Sequence, residues 1–419
     1  MNQRNFGMSK IRIKNFGPIK EGMLDNDGWI DIKKVTVFIG NQGSGKSTVA
    51  KVISTLFWLE KSINRGDIEK GGFNFNFFKN CFKYHKIDSY FSDKTYVEYI
   101  GEKYYILCDR RNVPPKIEVE SIKEYIVPKI CYIPAERNFL STISDAFNVK
   151  GLPGNLFSFA ERLRKAQNEL NGEKLKLPIG EYEYLYDNNA DISLIAGNSY
   201  QINLTDASSG LQSFVPLYLV AKYISKSIYE NLEDPKRTLT VDQSIRFANE
   251  ILNITSDGKL NDQDKSKKIE EIKAKYFNKC FINIVEEPEQ NLFPTSQQQI
   301  LNSLLEFNNM NEGNKLIMTT HSPYLINYLS LAIHSSHLHS EIIKKKNSKE
   351  LLDRINMVIP AKSMVSTNNV AIYQLDESNG TISQLGNTEG IPSDKNYLNQ
   401  SIRRGNELFD SLLEIEEEL

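Results

Sequence analysis

The run Gly40-Asn41-Gln42-Gly43-Ser44-Gly45-Lys46-Ser47 satisfies the pattern G-x-x-x-x-G-K-[ST] without deviation. Glycines at these positions let the backbone curl so that successive N–H groups face phosphate oxygens, and the helix start that follows adds positive potential. Lys46 would then bridge the outer phosphates of ATP and Ser47 would ligate Mg²⁺, while Asn41, Gln42, Gly43, Ser44, Gly45 and Thr48 complete the cradle. A second constellation is Glu286-Glu287-Pro288-Glu289, placed directly after the apolar run of residues 281–285. A strand ending in two acids sets one carboxylate beside a metal and the next beside an attacking water, at the sheet edge where nucleotides bind. Glu286 is therefore expected in the Mg²⁺ shell, and Glu287 as the base or water-positioning group. Thr319-Thr320-His321-Ser322 ends a further apolar run and brings an imidazole to the same edge. Asp206-Ala207-Ser208-Ser209-Gly210-Leu211-Gln212 precedes a helical pattern and, taken alone, reads as an N-cap.

The elements that must position these groups follow from periodicity. Residues 11–13 and 30–39 read as strands, the second ending in the buried-type run VTVFIG, and residues 47–59 have helical spacing. Strand, Gly-rich loop and helix in that order give the phosphate loop its context. A short strand at 130–133 leads into Pro134, Ala135, Glu136 and Arg137; a helix is expected at 155–171, short strands at 182–204 and a helix at 211–229. Residues 230–278 are charged and helical in pattern, with 265–275 on a solvated element. Core strands at 281–285 and 315–318, a helix at 322–331, a hairpin of 370–375 with 381–385 around Ser378-Asn379-Gly380, and a last helix at 398–419 complete the chain. Between 71 and 108, Phe73, Phe75 and Phe77 alternate with Asn, and 96–106 folds back around Gly101. This predicts an antiparallel side sheet. With Lys79, Lys83 and Lys86 interleaved, the same aromatics could instead stack on single-stranded nucleic acid.

A length of 419 residues, with 40% hydrophobic and 25% charged residues, allows a sizeable core in an ordinary globular chain. The formal charge of −2 excludes a globally basic nucleic-acid binder. DNA contact would need a local patch such as Lys344, Lys345 and Lys346, or the lysines at 79, 83 and 86, and solvated loops explain both more simply. No apolar run approaches the roughly 20 residues that span a bilayer, and the start carries no signal-peptide h-region, so a cytoplasmic protein without membrane contact is expected. Cys81, Cys108, Cys131 and Cys280 stand far apart without a C-x-x-C pair, which argues against zinc and disulfides alike. His334, His337 and His339 lack a nearby carboxylate or thiol at ligand spacing and read as a solvated surface.

In this order, the phosphate loop, Ser209-Gly210-Leu211-Gln212, Glu286-Glu287 and His321 resemble an ABC-type ATPase. Ile13-Lys14-Asn15-Phe16-Gly17-Pro18-Ile19, Leu292-Phe293-Pro294 after EEPE, and THSPYLIN resemble the SMC, RecF and OLD-like heads within that superfamily. The resemblance implies an α/β ABC head with an antiparallel side sheet and an enlarged helical lobe. It also implies a dimer in which Ser209, Gly210 and Gln212 meet the γ-phosphate of ATP on the partner copy, with His321 as the switch histidine. Leu211 replaces the second glycine of transporter signatures and Glu286 the usual Asp, which leaves the hydrolysis rate open. Glu136 and Arg137 are candidates for the Q-loop position. The expected organisation is 1–140 and 279–335 as the two halves of the head, 141–278 as the helical lobe with the signature, and 336–419 as a strand–helix extension. OLD proteins carry a TOPRIM nuclease after the head; residues 331–419 show no D-x-D motif, so the OLD-like resemblance implies an ATP-dependent switch in anti-phage defence with a separately encoded effector nuclease or toxin. The rival expectation is a RecF-like DNA-repair clamp without an effector.

Overall fold

The computed structural model describes residues 9–68, 73–111, 115–119, 125–143, 149–230, 239–345, 349–388 and 390–417. Its centre is a seven-stranded sheet. Strand β4 (Val35–Gly40) lies between β14 (Lys315–Thr320) and β15 (Val370–Asp376), parallel to both. β13 (Cys280–Glu286) joins β14 to β8 (Pro128–Ile133), again in parallel. β16 (Thr381–Gln384) pairs antiparallel with β15, and the two-residue β2 (Gly22–Met23) closes that edge. The sequence explains the centre: every residue of β4, β13 and β14 is buried, as parallel strands covered on both faces require. Val35, Val37 and Ile39 of β4 enter one core cluster and Phe38 enters the other, so the sheet separates two apolar layers.

One layer is covered by α1 (Lys46–Arg65) and a five-stranded antiparallel sheet in the order β3 (Ile30–Ile32), β1 (Ser9–Phe16), β5 (Phe91–Ile100), β6 (Tyr104–Asp109), β7 (Lys116–Val119). Glu60 ties the two together: its buried carboxylate accepts Tyr99 Oη at 2.6 Å and the Lys103 and Tyr104 N–H groups at 2.8 and 3.1 Å. The other layer receives α3 (Gly154–Glu169), α4 (Ser209–Tyr229), α7 (Pro294–Asn309) and α8 (Pro323–Ile343). It also receives a small sheet made of β9 (Leu175–Lys176), β10 (Glu183–Asp187), β11 (Ile192–Ala196) and β12 (Gln201–Asn203). The charged stretch before β13 forms two helices, α5 (Val241–Ser256) and α6 (Asp262–Tyr276). The tail adds α9 (Lys349–Val358) and α10 (Tyr397–Glu417).

Two expectations change. The aromatic run after residue 72 is not a strand: Phe75–Cys81 is a helix, α2, capped by Asn74, whose Oδ1 accepts the Phe77 N–H at 3.0 Å. Phe78 and Phe82, four apart, are the buried pair, while Phe75 and Phe77 are half-buried; helical spacing outweighs the F-N-F-N-F alternation. With Phe78 and Phe82 packed among Phe16, Phe73 and Phe91, those two rings are core side chains rather than a platform for bases. The hairpin around Gly101 does form, in the register Tyr99↔Ile106. Second, β15 and β16, from the segment after residue 336, lie in the central sheet beside the phosphate-loop strand. Among the described residues no helix is long and apolar enough to cross a membrane, and no group of His, Cys, Asp and Glu could by itself hold a metal. The four cysteines are free, and His334 and His337 are exposed on α8. Lys344 and Lys345 are exposed where α8 ends; Lys346 falls outside the described residues.

Candidate nucleotide site

The phosphate loop leaves β4 and enters α1 through Gly45, whose φ of +98° is the left-handed cap that a side chain would strain. An added Cβ there would also meet Ile19 Cδ1 at 2.6 Å. Asn41 fixes the rim, with Nδ2 donating to Glu377 Oε1 at 2.7 Å and Oδ1 accepting the Gln42 N–H at 2.8 Å. Lys46 is buried rather than carried on an exposed loop: its ammonium donates to the Gly40 and Asn41 carbonyls at 2.9 and 2.8 Å. Burial pulls the Lys46 ammonium down to about 8, against the pull of Glu287, Glu289 and Glu377. An ammonium resting on two neutral carbonyls has a stronger partner available in a phosphate.

The carboxyl ends of β13 and β14 supply the acids and the imidazole. Glu287 adopts φ of +43°, a strained conformation for a residue with a Cβ. Its N–H donates to the Thr319 carbonyl at 2.9 Å, and its Oε1 lies 3.4 Å from His321 Nε2. The hydrogen bond from His321, and behind it the charges of Lys46 and Arg137, hold the Glu287 carboxyl below the usual Glu value despite partial burial. Glu289, pushed up by its own burial, holds the next turn: Oε1 accepts Thr320 Oγ1 and the His321 N–H, each at 2.7 Å.

Glu286 is buried. Its Oε2 accepts the Ala135 N–H at 3.1 Å, and Oε1 lies 4.0 Å from Lys51 Nζ with no hydrogen-bond donor of its own. A carboxylate oxygen left without a donor suits a divalent cation. Ser47 lines the nucleotide cavity and Glu286 does not, so what fits Mg²⁺ at Glu286 is its donor-free oxygen alone.

A cavity of about 620 Å³ brings some of these parts together; Asn41, Ser44 and Glu286 are not among its lining residues. Gln42, Gly43, Gly45, Lys46, Ser47 and Thr48 line it from the loop, with Glu287 and His321 opposite. The family match decides which ATPases these parts belong to, for the model described as "AAA ATPase domain" fits residues 8–283 and 269–326. The chain belongs to the AAA ATPase domain family. No curated protein matches the chain. Two solved structures are similar in outline. One is an SMC head domain from Thermotoga maritima, 12% identical, covering 91% of this chain and 99% of that one with a TM-score of 0.38. The other is an SmcHead bound to the C-winged helix domain of ScpA, 10% identical, covering 91% and 98% with a TM-score of 0.41. At these scores neither adds to the assignment, which rests on the family match.

The rest of the AAA ATPase domain holds residues that sequence reasoning missed. Gly17 and Pro18, from the stretch at 13–19 already singled out by resemblance, and Tyr90 line the same cavity, and only the fold brings them to the phosphate loop. Lys51, near Glu286, sits one helical turn after Ser47 and could have been found by that spacing. Of the residues expected to bind nucleotide, Ser209, Gly210 and Gln212 lie elsewhere, at the start of α4. Ser208 caps that helix, Ser209 is exposed, and Gln212 Nε2 donates to the Thr205 carbonyl at 2.8 Å. Among the described lining residues of the cavity, none comes from this turn. Arg137, a candidate for the Q-loop, is fully buried and points its guanidinium at backbone instead of at the cavity.

Proposed function

We propose that the chain hydrolyses ATP with Mg²⁺ and works as a switch, two copies clamping ATP so that each phosphate loop faces the other copy's Ser209, Gly210 and Gln212. One observation carries this reading. The phosphate loop, Glu287 and His321 share an open cavity, whereas the exposed helix start at Ser209 stands outside it. A helix N-terminus with an exposed hydroxyl is suited to an anion, and a two-fold axis would bring it to the partner's nucleotide.

In the reaction, Lys46 leaves the carbonyls of Gly40 and Asn41 for phosphate oxygens, and the N–H groups of the loop take the rest of the negative charge. Glu287, kept ionised by His321 and the nearby cations, accepts a hydrogen bond from the attacking water and draws its proton. His321, its backbone fixed by Glu289, keeps the Glu287 carboxylate aimed. Glu286 and Ser47 are the residues that would hold Mg²⁺, which would supply neutralisation of phosphate charge.

The reading extends to a switch that acts on a separately encoded effector, in anti-phage defence as the OLD-like resemblance implies. What supports a protein partner is α10, whose Ile402, Leu408, Phe409, Leu412 and Ile415 are all exposed on one helix. The test of the enzymatic part is phosphate release by the purified chain with and without Mg²⁺. Activity that needs Mg²⁺ and disappears in Lys46→Ala agrees, and an inactive wild type that binds ATP contradicts it. The effector part is tested by co-purifying the chain with the product of the adjacent gene with ATP or ADP; capture that ignores nucleotide contradicts a switch.

A further inference from the structure

Arg137 is a large charged side chain with 0% exposure; its hydrogen bonds go to main-chain carbonyls on three separate elements, and the carboxylates of Glu289, Glu287 and Glu286 lie near enough to favour its charge. Its Nη1 donates to Glu286 O at 2.7 Å and Pro134 O at 3.2 Å, its Nη2 to Glu287 O at 2.6 Å, and its Nε to Ser213 O at 3.1 Å in the first turns of α4. A planar fork with five fixed donors can span these carbonyls at once, and a Lys ammonium cannot. Two more contacts join the same pieces. Asn291 Nδ2 donates to Ser213 Oγ at 3.1 Å, and Gly210 approaches the Asn291 carbonyl so closely that a Cβ would lie 2.8 Å from it. The glycine of the signature turn thus has a packing reason within its own chain.

We infer that Arg137 is a positioning residue for the proposed hydrolysis: it pins the carbonyls of Glu286 and Glu287, holds Glu287 in its left-handed conformation against His321, and joins that turn to the helix bearing Ser209. The inference rests on the reading of Glu287 as the group that activates water. Its physical content is that the strained backbone at Glu287 needs an external hold: main-chain bonds to Thr319 and from Gln290 supply part of it, and Arg137 adds the one buried guanidinium that reaches it among the described residues. A movement of α4 when Ser209 meets a nucleotide would therefore be felt at the carboxylate of the same chain. The two ATP sites of a dimer would be linked through each protomer's Arg137.

The experiment uses the full chain and the variants Arg137→Lys, Arg137→Met and Asn291→Gly, the last compatible with the left-handed φ of 60° at that position. ATP affinity is read by calorimetry, folding by melting temperature and chemistry by phosphate release. The expected result is a turnover lower by about tenfold for Lys and about a hundredfold for Met, as for a misplaced catalytic group, with ATP affinity kept. In a Glu287→Gln background the Arg137 substitutions should add no further loss, and Asn291→Gly should lower turnover less than Arg137→Met does. Equal loss of affinity, folding and turnover in Arg137→Lys and Asn291→Gly overturns the inference in favour of a purely structural role. Full turnover in Arg137→Met overturns it outright, as does an undiminished effect of Arg137→Lys in the Glu287→Gln background. If wild type and Glu287→Gln turn over equally, the reading of Glu287 itself fails, and the inference goes with it.

Discussion

The carboxyl of Glu60 predicts an unusual pH dependence of stability. It is buried between α1 and the β5–β6 hairpin, and burial raises it to about 7, against the opposing hydrogen bonds from Tyr99, Lys103 and Tyr104. The ordinary value is 4.5. Between these two values the folded chain holds a proton that the unfolded chain has released, so stability is greatest below the lower value and falls as pH rises through the upper one. With each unit worth about 1.4 kcal/mol, the loss across the window is about 3 kcal/mol, a large part of a domain's stability. Glu60→Gln mimics the protonated acid: its carbonyl can accept the two N–H groups and its amide can donate to Tyr99 Oη. Urea unfolding at intervals from pH 4.5 to 8 measures the effect. Buried His85, held neutral in the folded chain, adds to both proteins a stability that rises with pH over part of this range, so the difference between the two curves isolates Glu60: wild type should lose stability relative to Glu60→Gln as pH rises. Parallel curves for the two proteins would refute the reasoning.

Lys46→Ala should weaken ATP binding by about 1.5–3 kcal/mol or more, the range for a hydrogen bond to a charged group, as read by calorimetry. Because the ammonium titrates near 8 in the free protein, wild-type affinity should fall about tenfold per pH unit above that value, and Lys46→Ala should lack this slope. Glu287→Gln should bind ATP normally and release phosphate at least about a hundredfold more slowly, since the amide keeps the shape but takes no proton. If Glu286→Gln abolishes turnover and Glu287→Gln does not, the two roles are reversed.

The parts of this site that could be read from sequence are those whose chemistry is local. The loop from Gly40 to Ser47 and the acids at Glu286 and Glu287 each announce themselves by residue type next to an apolar strand, and parallel pairing of β4, β14 and β13 then brings them to one edge. His321 follows for the same reason, at the end of β14. What could not be read depends on contacts between distant segments. Arg137 looked like a loop residue near a strand, and only the fold shows the four carbonyls around it. Tyr90 reaches the cavity because the side sheet packs against the phosphate loop. The Phe73 to Phe82 segment misled through its alternation, because an Asn cap and two buried rings one turn apart were enough to make it helical. The placing of β15 beside β4 rests on pairing between segments far apart in the chain.

Whether a second copy completes the site can be read by light scattering of wild type, Glu287→Gln and Ser209→Arg with ATP or ADP. The contacts that Ser209, Gly210 and Gln212 make to nucleotide exist only in the associated state, so ATP should drive association by mass action. Monomers are expected with ADP, dimers with ATP that accumulate in Glu287→Gln, and neither dimer nor turnover in Ser209→Arg. A dimer that ignores nucleotide, together with full turnover in Ser209→Arg, would contradict it.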